Sequence, residues 1–146
     1  MSTVIDLFDA VYRVRQGENR AAALHLIDRD NGTVIKQADI RKIVYTIFRR
    51  GEQQTIQLTP SPDVPVSGHI NREIPVSDCI RDDPPVDPID GVAYNFLFII
   101  PTVDENDNDI TPFTVAGAKY DMVIRFFPAI GGKKYVANKT IRIECV

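Results

Sequence analysis

The run Lys119-Tyr-Asp-Met-Val-Ile-Arg-Phe-Phe127 alternates with period two. Tyr120, Met122, Ile124 and Phe126 share one face, and Asp121, Val123, Arg125 and Phe127 share the other. A period of two is the signature of a strand, because successive side chains point to opposite sides of a pleated backbone. The pattern resumes at Tyr135, with Ile141, Ile143 and Cys145 on one side and Thr140, Arg142 and Glu144 on the other. Between the two runs lies Pro128-Ala-Ile-Gly-Gly-Lys133, so the pair reads as a β-hairpin turned at Gly131-Gly132.

The same grammar extends upstream. Tyr94–Ile100 alternates and stops at Pro101, which has no amide proton to give a ladder. Ile43–Phe48 is nearly continuous apolar sequence, as expected of a central strand covered on both faces. Ala21–Ile27 reads as another strand, closed by Asp30-Asn31-Gly32, a turn that favours positive φ. Thr55–Leu58 and Val66–Ile74 read as weaker strands. Ser77–Arg81 reads as one helical turn capped by Ser77, and Asp82-Asp-Pro-Pro-Val-Asp-Pro88 as an extended loop. Seven of the ten prolines lie between Pro60 and Pro88, in loop and edge-strand territory. Val4, Leu7, Phe8 and Val11 follow helical spacing, with Thr3 and Asp6 as a capping pair, whereas Val11–Arg15 alternates. We therefore expect an N-terminal arm over residues 1–15 leading into a β domain over 16–146. The expected class is all-β: a single antiparallel sandwich of immunoglobulin or fibronectin type with long Pro/Asp-rich loops.

At 146 residues with 44% hydrophobic side chains, the chain is one domain long and can bury about two thirds of its unfolded surface without a disulfide or metal. Met1-Ser-Thr-Val4 lacks the basic start and apolar run of a signal peptide, and no stretch reaches membrane-spanning length. Cys79 and Cys145 are expected to be reduced and packed as small apolar groups. The net charge of -3 argues against a general nucleic-acid binder. That charge is unevenly spread. Residues 77–109 hold nine acidic side chains against Arg81 alone, a local net of -8 that leaves +5 elsewhere. Arg41, Lys42, Arg49 and Arg50 flank one strand, and Lys133-Lys134 sit at the hairpin tip. A molecule with opposed charged regions can pack on copies of itself or on a charged lattice. Expected contact residues are Leu7, Phe8, Tyr12, Arg49, Arg50, Asp82, Asp83, Lys133 and Lys134, with Phe127 a further candidate for an oligomer contact.

Six oxygen-bearing side chains run from Asp104 to Asp109, and Asp104, Asp107 and Asp109 are the candidate Ca²⁺ ligands. An EF-hand would need glycine where Asp109 stands and glutamate where Val115 stands, so that motif fails. The run resembles the Asp-x-Asn-Asp-Asn linker of cadherin repeats, whose upstream acidic motifs are missing. Catalytic patterns are scarce: His25 and His69 stand apart, and no His-x-x-x-His, Cys-x-x-Cys, Gly-x-Ser-x-Gly or phosphate loop occurs. Enzyme activity is not expected, and no cofactor is required. Asn138-Lys139-Thr140 matches a glycosylation triplet within a strand, which we read as chance.

Ala22–Asp28 with Asp30-Asn31-Gly32, followed by Ile40–Phe48, resembles the opening of Ig-like virion modules of tailed bacteriophages. The order Val76–Ile80, Gly91–Phe96, Tyr120–Phe127 and a closing strand is similar to that of small phage structural proteins. The acidic insert at Asp104–Asp109 departs from that pattern. The resemblance implies a structural part of a virus particle assembled in the host cytoplasm. Capsid cement or decoration is the first expectation, and a tail, baseplate or head–tail adaptor the second. The implied partners are the major capsid protein or other virion proteins, together with copies of the same chain; neither nucleic acid nor membrane is implied. A Ca²⁺-dependent adhesion module is the remaining alternative.

Overall fold

The computed structural model describes residues 4–6, 11–19, 21–28, 32–51, 63–129 and 137–146. The alternating C-terminal runs form the longest elements, β9 (Lys119–Pro128) and β10 (Ala137–Cys145). They pair antiparallel with Ile141 opposite Met122 and Ile143 opposite Tyr120. On its other side β9 pairs antiparallel with β5 (Ile40–Arg49), with a register irregularity between Ile40 and Lys42. In β5 five consecutive residues, Ile43 to Ile47, are buried, as its apolar run predicts. Beyond β5 lie β6 (Val64–Pro65) and β7 (Arg72–Ile74), both short and antiparallel to it.

The outermost strand of this six-stranded sheet is β2 (Val11–Val14), which runs parallel to β10. The sandwich is therefore mixed rather than wholly antiparallel. A parallel pair cannot be closed by a tight turn, and here its connection is the rest of the domain. Turn signals between neighbouring runs carry no trace of such a pairing.

The opposing layer consists of two ladders joined by one continuous segment. β3 (Ala21–Leu24) pairs antiparallel with β8 (Phe96–Ile99), and β4 (Leu26–Asp28) with β1 (Val4–Asp6). The segment expected as one strand, Ala21–Ile27, breaks at His25 between the two ladders. Ile80 extends this layer by an antiparallel bridge to Phe96. Val4–Asp6 and Val11–Val14 are paired strands, so the helical spacing is not expressed there; Leu7 and Phe8 lie outside the described residues. So do Thr3, Asn31, Thr55–Leu58, the Gly131-Gly132 turn and Lys133-Lys134.

α1 (Val76–Cys79) is the expected helical turn, but Pro75 rather than Ser77 is its N-cap. Proline's fixed φ and extended ψ suit that position, and no side-chain cap bond is made. Of the expected strand Val66–Ile74, only its end is strand; Ser67-Gly68 form a turn.

The core lies between the layers. Tyr45, Ile47, Leu26, Phe96, Phe113, Tyr120, Met122 and Phe126 are fully or almost fully buried. Each such side chain contributes about 1.5–3 kcal/mol by burial. Phe96 meets Phe126 edge to face at 5.6 Å, and Phe113 meets Tyr120 likewise at 5.1 Å. The Phe96–Phe126 pair joins the two layers, the Phe113–Tyr120 pair seats the β8–β9 connection on β9, and both have the geometry that ring quadrupoles favour. Cys79 and Cys145 are free and buried, and burial pushes the Cys79 thiol up to about 11.

Candidate functional site

The outer surface of the β3–β8 ladder carries a groove of about 530 Å³. Ala22 and Leu24 point into the core, which puts Ala21 and Ala23 on the outer side. Leu97 is the ladder partner of Ala23 and shares that side. These three line the floor. Tyr12, from the neighbouring sheet's outer strand, flanks them and donates its hydroxyl proton to the Ala23 carbonyl at 2.7 Å. Tyr94, Pro85, Val86 and Pro88 complete the apolar lining, and Arg81 and Asp87 bring the charges.

One wall is a small hairpin built from the Pro/Asp-rich loop. Val86 and Ala93 form its bridge, and the Asp87 amide donates to the Val92 carbonyl at 2.9 Å. The turn residues are aspartates because a short carboxylate can accept from the backbone two residues ahead. Asp87 accepts the Ile89 amide at 2.7 Å and Asp90 accepts the Val92 amide at 2.9 Å. Gly91 supplies the left-handed residue at φ 73°. Tyr94 donates its hydroxyl to the second oxygen of Asp90. That bond, then the Val92 amide, holds the Asp90 carboxyl below its ordinary range, and the same bond to Asp90 pushes the Tyr94 phenol up to about 12. Both groups therefore keep one charge state near neutral pH. Ile89 stands at the tip, 94% exposed, and Val86 is 62% exposed.

The outer side of the six-stranded sheet has the opposite character. The registers put Lys42 beside Phe127, Arg142 beside Asp121 and Lys119 beside Glu144, with Arg125 on the same side. Arg41 and Lys42 both lie over the Phe127 ring, at 5.8 and 5.5 Å. Arg50 pairs with Asp121 at 3.4 Å and Arg13 with Glu144 at 3.7 Å. The exposed Arg13–Glu144 pair adds about 0–1 kcal/mol, while Asp121 is half-buried beneath Arg50.

The candidate Ca²⁺ residues form a tight turn closed by a bridge between Val103 and Asp109. One oxygen of Asp104 accepts the amides of Asn106 (2.8 Å) and Asn108 (2.9 Å), and its other oxygen accepts the Asn108 side-chain amide at 3.1 Å. Asp109 accepts both the amide and the hydroxyl of Thr111. These bonds hold both carboxyls below their ordinary range, Asp104 through Asn108 first and Asp109 through Thr111 first. Asp107 occupies the left-handed region at φ 62°. Among the described residues no group of three or more His, Cys, Asp or Glu is placed to hold a metal ion. Asp104 and Asp109 hold the turn through these bonds, and Glu105 pairs with Arg72 at 2.6 Å.

Of the expected contact residues, Tyr12 reaches the groove. Asp82 accepts the Gln37 amide at 2.8 Å, Asp83 is exposed, Arg50 is paired as above, and Arg49 is exposed at the end of β5. Leu7, Phe8, Lys133 and Lys134 lie outside the described residues. Two residues of consequence were not singled out by the sequence. Asn95 falls on the face opposite Phe96 yet is fully buried. His69, just after Ser67-Gly68, is fully buried between the Tyr45 hydroxyl at 2.8 Å and the Ile110 carbonyl at 2.6 Å. The available signal was chemical: isolated polar residues with several hydrogen-bonding atoms beside apolar runs. His25 is partly buried, and its Nδ1 lies 2.8 Å from the Ala93 carbonyl.

No family model, curated protein or solved structure matches the chain. Among the described residues no helix is long and apolar enough to cross a membrane.

Proposed function

We propose that the sandwich is immunoglobulin-like and that the protein is a non-enzymatic structural component of a tailed-phage particle, a capsid cement or decoration protein. The strand order supports the fold reading. The sequence β2-β10-β9-β5-β6 corresponds to the A′, G, F, C and C′ strands of a variable-type domain, and β1, β3/β4 and β8 to A, B and E. Tyr120 supports it further: it lies at the start of β9, and its hydroxyl accepts the upstream Val115 amide at 3.3 Å, the arrangement of a tyrosine corner. Met122 stands two residues later, where an immunoglobulin cysteine would stand.

The opposed charge of the two outer surfaces carries the functional reading. The β3–β8 side bears the 81–94 loop, with Asp82, Asp83, Asp87 and Asp90 against Arg81, and the six-stranded sheet presents Lys42, Lys119, Arg125 and Arg142. Complementary potentials of this kind steer and orient protein contacts in an assembly. The experiment is solution mass by light scattering over a concentration series, at about 0.05 M and about 0.5 M salt, joined to co-sedimentation with purified capsids and with purified tails. Self-association or capsid binding that weakens with salt and with Arg125→Glu supports the reading. Binding to tails but not capsids would move the protein to an adaptor role. A monomer that binds neither particle overturns the proposal.

A further inference from the structure

We propose that the groove beside the 86–93 hairpin binds an extended, proline-bearing segment of a partner protein that carries Lys or Arg at its flanks. This goes beyond the assembly reading and requires neither a virion nor self-association. Shape is the first argument. Ala21 and Ala23 are stubs that let a backbone approach the ladder closely, and the volume of about 530 Å³ falls in the range of specific binding clefts.

Chemistry is the second argument. The hydroxyls of Tyr12 and Tyr94 are bonded back to Ala23 and Asp90, so both residues offer a ligand mainly their ring surfaces. Aromatic rings beside prolines form the kind of surface that receives polyproline II segments. Such a segment has no internal hydrogen bonds to break and little freedom left to lose on docking. The hairpin that makes the wall is held by its own aspartates, so the cleft is formed before the ligand arrives.

Charge selects the flanks and disfavours the Asp82–Pro88 stretch of a second copy. The groove is lined by Asp87 and Arg81, and the 81–94 loop that forms its wall carries four carboxylates, Asp82, Asp83, Asp87 and Asp90, against that one arginine. A cationic flank is attracted there. This chain's own proline-rich stretch, Asp82–Pro88, carries Asp82, Asp83 and Asp87, and a copy offering it would place like charges together. Among the described residues the chain's cationic surface is a flat set of paired strands.

The probe is a fluorescein-labelled proline–leucine peptide with an arginine at each end, followed by fluorescence anisotropy. The control peptide carries glutamates at the ends. Ala21→Trp fills the groove from an exposed position, and Val86→Arg adds a cation at an exposed wall position without touching the core. We expect the arginine-flanked peptide to bind at least about tenfold more tightly than the control, and each variant to lose about tenfold. Raising salt to about 0.5 M should weaken the wild-type complex. Absence of wild-type binding at protein concentrations up to about 1 mM overturns the proposal. So does equal affinity for the two peptides, or unchanged affinity in both folded variants. If Ala21→Trp instead abolishes self-association, the occupant is a second copy and the proposal also fails.

Discussion

Asn95 and Leu26 bond to each other twice. The Leu26 amide donates to Asn95 Oδ1 at 2.7 Å, and Asn95 Nδ2 donates to the Leu26 carbonyl at 2.9 Å. The same Nδ2 donates to the Ile35 carbonyl at 2.9 Å. One buried amide therefore satisfies the backbone beyond the His25 break, and ties it to the residue that precedes β8 and to Ile35. The Asn95 carbonyl in turn accepts the Arg81 amide at 2.7 Å, which fixes the root of the groove loop. A polar side chain is favourable there because the Leu26 amide and the Ile35 carbonyl would otherwise be buried without this bond, whereas the Leu26 carbonyl also accepts the Ile35 amide at 3.1 Å.

Asn95→Ala should leave the Leu26 amide and the Ile35 carbonyl unsatisfied. We expect a loss of about 3 kcal/mol in denaturant unfolding at unchanged m-value, and Asn95→Leu should fare no better. A loss below about 1 kcal/mol would mean that water or a shifted backbone replaces the amide.

His69 should make stability fall in mild acid. Burial, first, and the Arg72 charge, last, depress its protonation, against a raising contribution from the bond to the Ile110 carbonyl. Arg72 is itself paired with Glu105 at 2.6 Å. A folded-state value below the ordinary 6.5 means that the unfolded chain binds the proton more readily, so stability is full above pH 6.5 and is lost as pH falls through the folded value. The carboxyls of Asp90, Asp104 and Asp109 are held below their ordinary range, so their contribution is lost at lower pH. Unfolding midpoints between pH 7.5 and 4.5 should decline in the wild type, and the decline should be smaller in His69→Gln. Parallel pH curves for the two proteins would refute this.

Gly68 is a site where only glycine fits. Its φ is 85°, and a Cβ would sit 2.4 Å from Ile110 Cγ2. Gly68→Ala should cost about 2–4 kcal/mol, combining left-handed strain with overpacking. Gly17→Ala supplies the control, because Gly17 has φ 79° but no atom within 4 Å of the added carbon, and it should cost only about 1 kcal/mol. Adding Ile110→Ala to Gly68→Ala should recover part of the loss, as a double-mutant cycle would measure.

Chelator should leave the melting temperature unchanged. A ligand that binds only the native state must raise stability, and the oxygens of Asp104 are already engaged by its own turn. Scans with millimolar-range Ca²⁺ and with excess EDTA should superimpose. A rise with Ca²⁺ that Asp104→Asn removes would restore the adhesion reading.

Tyr120→Phe should destabilise by about 1 kcal/mol, the scale of one neutral hydrogen bond, with Phe113 packing retained. A neutral result would show that the Val115 amide finds water instead, and would weaken the tyrosine-corner assignment.

The sequence by itself determined the strands whose pattern is local. Lys119–Phe127 and the run ending at Cys145 could bury apolar side chains only by alternating across a sheet, and Ile43–Phe48 only by lying between two covers. It also determined that Cys79 and Cys145 would serve as small apolar groups. Tertiary structure decided what depends on residues far apart in the chain. It paired Val11–Val14 parallel to Arg142–Cys145, where no turn announces the contact. It buried Asn95 and His69, because their partners Leu26, Ile35, Tyr45 and Ile110 come from distant segments and only their convergence makes a polar interior favourable. It also made a groove from Tyr12, Ala21, Leu97 and the Asp-rich loop. Local patterning records which face of each strand is apolar, but a concave surface is set by how the elements meet.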